Sequence, residues 1–100
     1  MQSMKNLQKL SKLEQAANES WDKFQAFNDA AMAEGAIPVK YKELIALGVA
    51  LTTQCSYCLE IHRKSAIAAG ATQAELAETT LIAGALRAGA ALTHGTQILD

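Results

Sequence analysis

The amino-acid sequence predicts an all-α protein, and three observations carry this prediction. Half of the 100 residues are apolar but only 5% are aromatic, so small side chains on closely packed helices must fill the core. Alanine, the strongest helix former, occurs twenty times, whereas proline occurs once. No run of alternating β-branched residues is present such as a half-buried strand requires. A chain of this length forms one domain, here residues 1–100.

The first third of the chain predicts one long helix or two helices end to end, with a possible break at Asn18 or Ser20. Gly35 is expected as the C′ residue that ends this region, and Pro38 in the first turn of the next helix. Apolar residues in this region recur at helical spacing and form one stripe: Leu7, Leu10, Leu13, Ala17, Trp21, Phe24, Phe27 and Ala31. We expect the aromatic members of this stripe in the core or at a subunit contact.

The rest of the chain predicts further helices joined by short connections. Residues 40–53 contain the almost wholly apolar sequence LIALGVAL, which predicts a central helix buried on every side. The Thr-Thr pair at its end offers N-cap hydroxyls for a following helix that ends at Gly70. Thr72 and Glu75 have the spacing of a capping box that opens the last helical region. We therefore expect a compact bundle of five or six helices.

Charge and hydropathy exclude several classes of function. The formal net charge of −1 and the isoelectric point near 6.1 leave no basic surface for nucleic acid or an anionic membrane. No apolar run approaches the length that spans a bilayer, and the N-terminus lacks the apolar stretch of a signal peptide. The sequence thus predicts a cytoplasmic protein. Because the cytosol disfavours structural disulfides, two cysteines spaced Cys-x-x-Cys indicate redox chemistry or metal binding.

Two cysteines and a histidine form the chemically distinctive pattern. Cys55, Cys58 and His62 occur at i, i+3 and i+7, which places them on one face of a helix. A helix N-terminus at Cys55 and the imidazole beside Cys58 would each favour a thiolate. A sulfenic acid formed on one sulfur can be captured by the other as a disulfide. Zinc bound by these three side chains, or two inert core cysteines, are the alternatives.

Glu43 is a further candidate, provided that the chain turns back before the cysteines. In one unbroken helix Glu43 would lie roughly 18 Å from Cys55 along the axis, too far to take part. If the chain reverses near Thr53, Glu43 and His62 each stand about 14 Å from the turn and can face each other. A carboxylate in an otherwise apolar helix needs a partner, and we expect that partner to be His62.

From about Phe24 to the C-terminus, the sequence resembles the AhpD-like (alkyl hydroperoxidase D-like) branch of the carboxymuconolactone decarboxylase family. The resemblance runs through KELIALGVALTTQCSYCLEIHRKSAIAAGATQAELAE, with the motif Glu, eleven residues, Cys-x-x-Cys, three residues and His. It implies a proton-relay site for the reduction of peroxides or disulfides. By resemblance, Cys58 is attacked by peroxide and Cys55 is the resolving cysteine. His62 is then the base, and Glu43 orients it.

The resemblance also implies how such an enzyme works and assembles. It would reduce a hydroperoxide or a disulfide without a bound cofactor or metal and be reset by a partner thiol. A homo-oligomer, trimer or hexamer, is implied, and the apolar central helix also predicts one because so short a chain cannot cover it. The alternatives are a non-enzymatic redox sensor or assembly module, and a decarboxylase or lactone-processing enzyme.

Two features separate this chain from parts of that family. Tyr57 stands where some AhpD-type peroxidases carry a second histidine, and we expect it to line the site. The decarboxylases of the family work without the cysteine pair, so the presence of Cys55 and Cys58 argues against that reaction.

Overall fold

The computed structural model describes residues 3–100, so that Met1 and Gln2 of the predicted domain lie outside the description. No strand occurs in this part of the chain, and the predicted all-α class is confirmed. Two short 3-10 segments, Met4–Lys9 and Thr96–Ile98, accompany the α-helices. The helices are α1 (Leu10–Ala16), α2 (Asn18–Met32), α3 (Val39–Thr53), α4 (Ser56–Ala68) and α5 (Gln73–Gly95).

The chain divides into two compact units, Met1–Val39 and Lys40–Asp100. In the first unit a break occurs at Ala17, one residue before the predicted Asn18, and the backbone leaves helical geometry for that single residue. No residue of α1 or α2 is buried, and the side chain of Phe27 is 70% exposed. The expectation that the aromatic stripe forms a core is therefore wrong within this unit, because its side chains stay partly or largely exposed. The alternative, that these aromatic side chains form a subunit contact, stays a prediction.

The end of α2 differs from the expected glycine C-cap. The helix stops at Met32 and Ala33 is already extended, so Gly35 lies beyond the C′ position. Among the described glycines only Gly70 has the left-handed conformation. Pro38 directly precedes α3 and does not lie within its first turn.

The second unit contains all the buried residues of the described chain. Helix α3 buries one face, whereas Ile45 and Val49 on its other side are 54% and 56% exposed. The prediction that α3 is buried on every side is thus wrong for the single chain, because α4 and α5 are too few to surround it. Three of the five buried residues are alanines, as the composition predicted; the five are Glu43, Leu47, Ala50, Ala66 and Ala83.

The connection between α4 and α5 follows the prediction. Gly70, with φ of 97°, comes just after α4. The Thr72 hydroxyl accepts a hydrogen bond from the Glu75 N–H at 3.1 Å, and the Glu75 carboxylate accepts one from the Thr72 N–H at 2.9 Å. These reciprocal bonds complete the capping box. No helix in residues 3–100 has the length and apolar character needed to cross a bilayer.

An ion pair joins the start of α3 to the start of α5. Lys40 Nζ lies 2.9 Å from Glu75 Oε2. The hydrogen bond to Glu75 raises the pKa of Lys40. The backbone N–H of Thr72 and then the Lys40 ammonium lower the pKa of Glu75. Glu75 therefore serves both the cap of α5 and the contact of α5 with α3.

Candidate redox site

A two-residue reversal between α3 and α4 builds the site. Helix α3 ends at Thr53 and α4 begins at Ser56. Gln54 has φ of 57°, a left-handed conformation that is uncommon outside glycine. The Cys55 N–H then donates back to the Ala50 carbonyl at 3.1 Å. The chain therefore turns back near Thr53, as a contact between Glu43 and His62 requires, and α4 returns along α3.

The threonines before this reversal do not cap α4, so that prediction is wrong. The Thr52 hydroxyl donates to the Val49 carbonyl at 2.7 Å, and the Thr53 hydroxyl donates to the Ala50 carbonyl at 3.4 Å. Both bonds lie within the last turn of α3, because a hydroxyl three residues after a helical carbonyl reaches it readily. The N-cap position of α4 is left to Cys55.

Cys55 and Cys58 occupy the N-terminal end of α4 and form a disulfide with each other. Cys55 is the N-cap residue, with extended backbone, and its Sγ accepts a hydrogen bond from the Cys58 N–H at 3.2 Å. Their Cα atoms are 5.3 Å apart. Cys55 thus lies at the positive end of the helix dipole, and Cys58 lies within the first turn. Both residues are half-buried.

Glu43 of α3 and His62 of α4 are in direct contact. Glu43 Oε2 lies 2.6 Å from His62 Nδ1, and Glu43 is only 8% exposed. A carboxylate has no proton to donate, so the Nδ1–H of the ring must be the donor. A neutral imidazole in this tautomer keeps Nε2 as its acceptor. The partner expected for Glu43 is present, and the imidazole side chain remains 25% exposed.

The helix positions of these residues determine what the site can do. His62 follows Cys58 by one turn of α4, so their side chains share a face. Cys58 and His62 therefore follow one another along α4, and the buried Glu43 carboxylate lies across the contact with α3. Tyr57 is half-buried in the first turn of α4, next to Cys58. This arrangement of thiol, imidazole and carboxylate can move a proton between the cysteine pair and the carboxylate.

One residue that contacts this reversal, Arg87, was not predicted from the sequence. Arg87 of α5 donates from Nη1 to the Thr52 carbonyl at 2.6 Å, at the C-terminal end of α3. No motif marks Arg87, because it lies 35 positions from Thr52. Only the packing of α5 against α3 brings the two together.

Among residues 3–100, no group of three His, Cys, Asp or Glu side chains is arranged to hold a metal ion. The sulfurs of Cys55 and Cys58 are bonded to each other, and His62 Nδ1 faces Glu43.

Comparison with known proteins identifies the class of this helical domain. Residues 19–100 match the model of the carboxymuconolactone decarboxylase family. The chain therefore belongs to the carboxymuconolactone decarboxylase family. It is 41% identical over 78 residues to "Uncharacterized protein 4 in cox locus" of Paracoccus denitrificans, covering 78% of this chain and 70% of that protein. It is 36% identical over 70 residues to an uncharacterized protein of Cupriavidus necator, covering 70% and 62% respectively.

Two solved structures are similar over most of the chain. A carboxymuconolactone decarboxylase family protein from Legionella pneumophila superposes with a TM-score of 0.77 at 31% identity, covering 90% of this chain and 80% of that one. A structural genomics target from Methanobacterium thermoautotrophicum superposes with a TM-score of 0.82 at 30% identity, covering 88% and 99%. The architecture of the described chain is thus that of the family.

Proposed function

We propose that the protein is a cytoplasmic thiol oxidoreductase of the AhpD-like branch, which reduces a hydroperoxide or a disulfide. One observation carries the proposal: a disulfide-forming pair at the N-terminus of α4 lies one turn before a histidine that a buried carboxylate holds. Inert core cysteines would need neither the partner base nor the charge of Glu43, which is costly to bury.

With a hydroperoxide, the cycle begins from the dithiol form. The Cys58 thiolate attacks the terminal peroxide oxygen, the O–O bond breaks, and an alcohol leaves after the alkoxide takes up a proton. Cys58 is then a sulfenic acid. The Cys55 thiolate attacks this sulfur, a disulfide forms, and the hydroxyl leaves as water. Two electrons from the thiol pair have reduced one peroxide.

His62 and Glu43 supply and accept the protons of this cycle. The Nε2 atom of His62 takes the Cys58 proton and returns it to the leaving oxygen. The Glu43 carboxylate fixes the orientation of the ring by its hydrogen bond with Nδ1. The assignment of Cys58 as the attacked thiol comes from the family resemblance. The position of Cys55 at the helix N-terminus favours a thiolate there as well.

With a disulfide substrate, one thiolate attacks and a mixed disulfide forms. The second cysteine then displaces the reduced product and closes the internal disulfide. In both reactions a partner dithiol must restore the cysteines by thiol–disulfide exchange, becoming a disulfide itself. The partner proposed here is therefore a reducing thiol.

A turnover assay separates this proposal from its rivals. Hydrogen peroxide, an organic hydroperoxide and a model disulfide are each offered with excess dithiothreitol to wild type and to Cys58→Ser. Steady turnover with at least one substrate, abolished in Cys58→Ser, is expected. A redox sensor would react once and stop. A decarboxylase or lactone-processing enzyme would turn over none of the three substrates, and that result would contradict the proposal.

We also propose that the chain assembles as a homo-oligomer, a trimer or a hexamer. The single chain leaves a groove between α3 and α5 whose walls include Ile45, Val49, Ile82 and Leu86, each more than half exposed. Apolar surface of this kind marks a contact in most proteins. A second copy that covers it would supply the missing burial of α3.

A further inference from the structure

The reversal that presents Cys55 contains an unfavourable backbone conformation. Gln54 has φ of 57°, and this left-handed region is unfavourable for a residue other than glycine. The conformation nevertheless places the Cys55 N–H against the Ala50 carbonyl and leaves Cys55 as the N-cap of α4. Contacts from outside the turn must offset this cost.

Arg87 provides such a contact. Its guanidinium donates to the Thr52 carbonyl at 2.6 Å, two residues before Gln54. This carbonyl lies at the end of α3, where no further helical N–H is available and the dipole favours a cation. A charged donor makes a stronger bond to a carbonyl than a neutral one. Arg87 belongs to α5 and so ties the reversal to the third helix of its unit.

We infer that Arg87 is a positioning residue for the redox pair: by holding the Thr52 carbonyl, it fixes the left-handed turn at Gln54 and thereby keeps Cys55 within reach of Cys58. The inference rests on the dithiol/disulfide couple of the proposed function. Arg87 takes no part in the chemistry. It raises the effective concentration of one thiol at the other.

Loss of this contact should make the Cys55–Cys58 disulfide less stable relative to the disulfide of an external thiol such as glutathione. If the turn loosens in the dithiol form, Cys55 samples positions from which it cannot reach Cys58, and closing the disulfide must again order the turn. We expect Arg87→Gln to lower the equilibrium constant for disulfide formation about tenfold, which is 30 mV for this two-electron couple. Arg87→Lys keeps the charge and one donor, and should recover at least half of the loss.

The test is equilibration of the full chain with glutathione buffers of graded ratio, with alkylation and mass spectrometry to count the closed disulfide. Arg63→Gln is the matched control, since Arg63 is an exposed cation on α4 and its loss changes the net charge equally. The same set is measured in a Gln54→Gly background, which removes the left-handed penalty. This background also stabilises the turn should Arg87→Gln alone fail to fold by circular dichroism.

The outcomes are distinct. A fall near tenfold in Arg87→Gln, recovery in Arg87→Lys, no change in Arg63→Gln and a smaller effect in the glycine background support the inference. An Arg87→Gln constant within twofold of wild type in both backgrounds overturns it. An equal fall in Arg63→Gln also overturns it, because charge alone would then explain the shift. The disulfide equilibrium is measurable whether or not any substrate turns over, so failure of the proposed function is recognised separately.

Discussion

The two units of this chain differ in what their apolar residues do. In Met1–Val39 the apolar stripe has helical spacing, yet no residue of α1 or α2 is buried. In Lys40–Asp100 the hydrophobic pattern is less regular, but this unit holds every buried residue of the described chain. Glu43, the one buried charged residue among residues 3–100, lies in the second unit with the cysteines.

Hydrophobic periodicity therefore predicts where a helix forms but not which of its faces is buried. A stripe is buried only if other residues pack over it, and the stripe of α1 and α2 stays partly or largely exposed. Helices α3, α4 and α5 bury small residues against each other because alanine permits close approach. The candidate site lies in that unit, where Glu43 is both buried and paired with His62.

Loss of a cysteine in the second unit should have a greater effect on turnover than any other change considered, and the helices of the first unit should stay intact. Cys58→Ser should reduce turnover below about one thousandth of wild type, since loss of a nucleophile costs at least that factor. Cys55→Ser should leave a thiol that one equivalent of peroxide oxidises to a sulfenic acid that cannot be resolved internally. Mass spectrometry of each variant measures this. Phe27→Ala is the control from the first unit and should keep wild-type turnover.

A result in which Cys58→Ser stays active and Cys55 carries the sulfenic acid would reverse the assignment of the two sulfurs. The N-cap position of Cys55 and its bond from the Cys58 N–H make this outcome chemically reasonable. The site itself would stand, with the two cysteines exchanging roles.

The next effect concerns the relay across α3 and α4. His62→Ala should slow turnover about 100-fold to 10,000-fold, the range of general base catalysis. Glu43→Gln keeps the shape of the side chain but removes its charge, so it should slow turnover less if Glu43 only orients the ring. The rate of iodoacetamide reaction at Cys58 against pH is the direct measurement. Its midpoint should move to higher pH when His62 is lost.

Glu60→Gln is the matched control for the relay, because Glu60 is on α4 and forms only a surface pair with Lys64. It should leave both rate and profile unchanged. Equal losses in His62→Ala and Glu43→Gln would mean that the residues act as one unit. If the pH dependence of alkylation is unchanged in folded variants of His62 and Glu43, the proposed relay is wrong. The helix N-terminus would then be the feature that stabilises the Cys58 thiolate.

Much of the second unit could be predicted because its signals are local or depend on one turn. Thr72 and Glu75 form a capping box within four residues, and Gly70 ends α4 by its own backbone freedom. The contact of Glu43 with His62 required one further step. Helix geometry predicted this contact on the condition that the chain reverses near Thr53, because such a reversal brings two equally distant residues together.

Other features could not be read from the sequence because they depend on competition or on packing between distant helices. Thr52 and Thr53 are good N-cap residues, but their hydroxyls bond within α3 and Cys55 takes the cap. Arg87 has no motif and meets Thr52 only through the packing of α5 on α3. The exposure of α3 depends on how many helices surround it, which composition does not specify.

A smaller effect tests whether a second copy covers the exposed side of the second unit. Ile82→Asp places a charge in the groove between α3 and α5, where Ile82 is 61% exposed in the single chain. A carboxylate buried against an apolar partner is unfavourable, so the assembly should dissociate. Light scattering at micromolar concentration measures the mass. Thr80→Asp adds the same charge at an exposed position of α5 and should leave the mass unchanged. A monomeric wild type would contradict the oligomer.

The last comparison is between one ion pair from each unit, and the quantity is the change in free energy of unfolding when the pair is lost. Glu75→Gln keeps an acceptor for the capping box but loses the charge that pairs with Lys40. The pKa of Glu75 is lowered from 4.5, so its contribution to stability is complete above that value and is lost as the pH falls through the folded pKa. The pKa of Lys40 is raised from 10.5, so its contribution is complete below 10.5 and is lost as the pH rises through the folded pKa.

The difference in free energy of unfolding between wild type and Glu75→Gln should therefore be greatest between about pH 5 and pH 10 and should shrink outside that window. Urea unfolding at a series of pH values measures it. Glu19→Gln is the counterpart in the first unit, where Glu19 and Lys23 are paired at 3.2 Å with side chains 83% and 78% exposed. An ion pair so fully solvated contributes little, so its loss should be undetectable at every pH. Equal effects at both sites would mean that the Lys40 pair gains nothing from joining two helices.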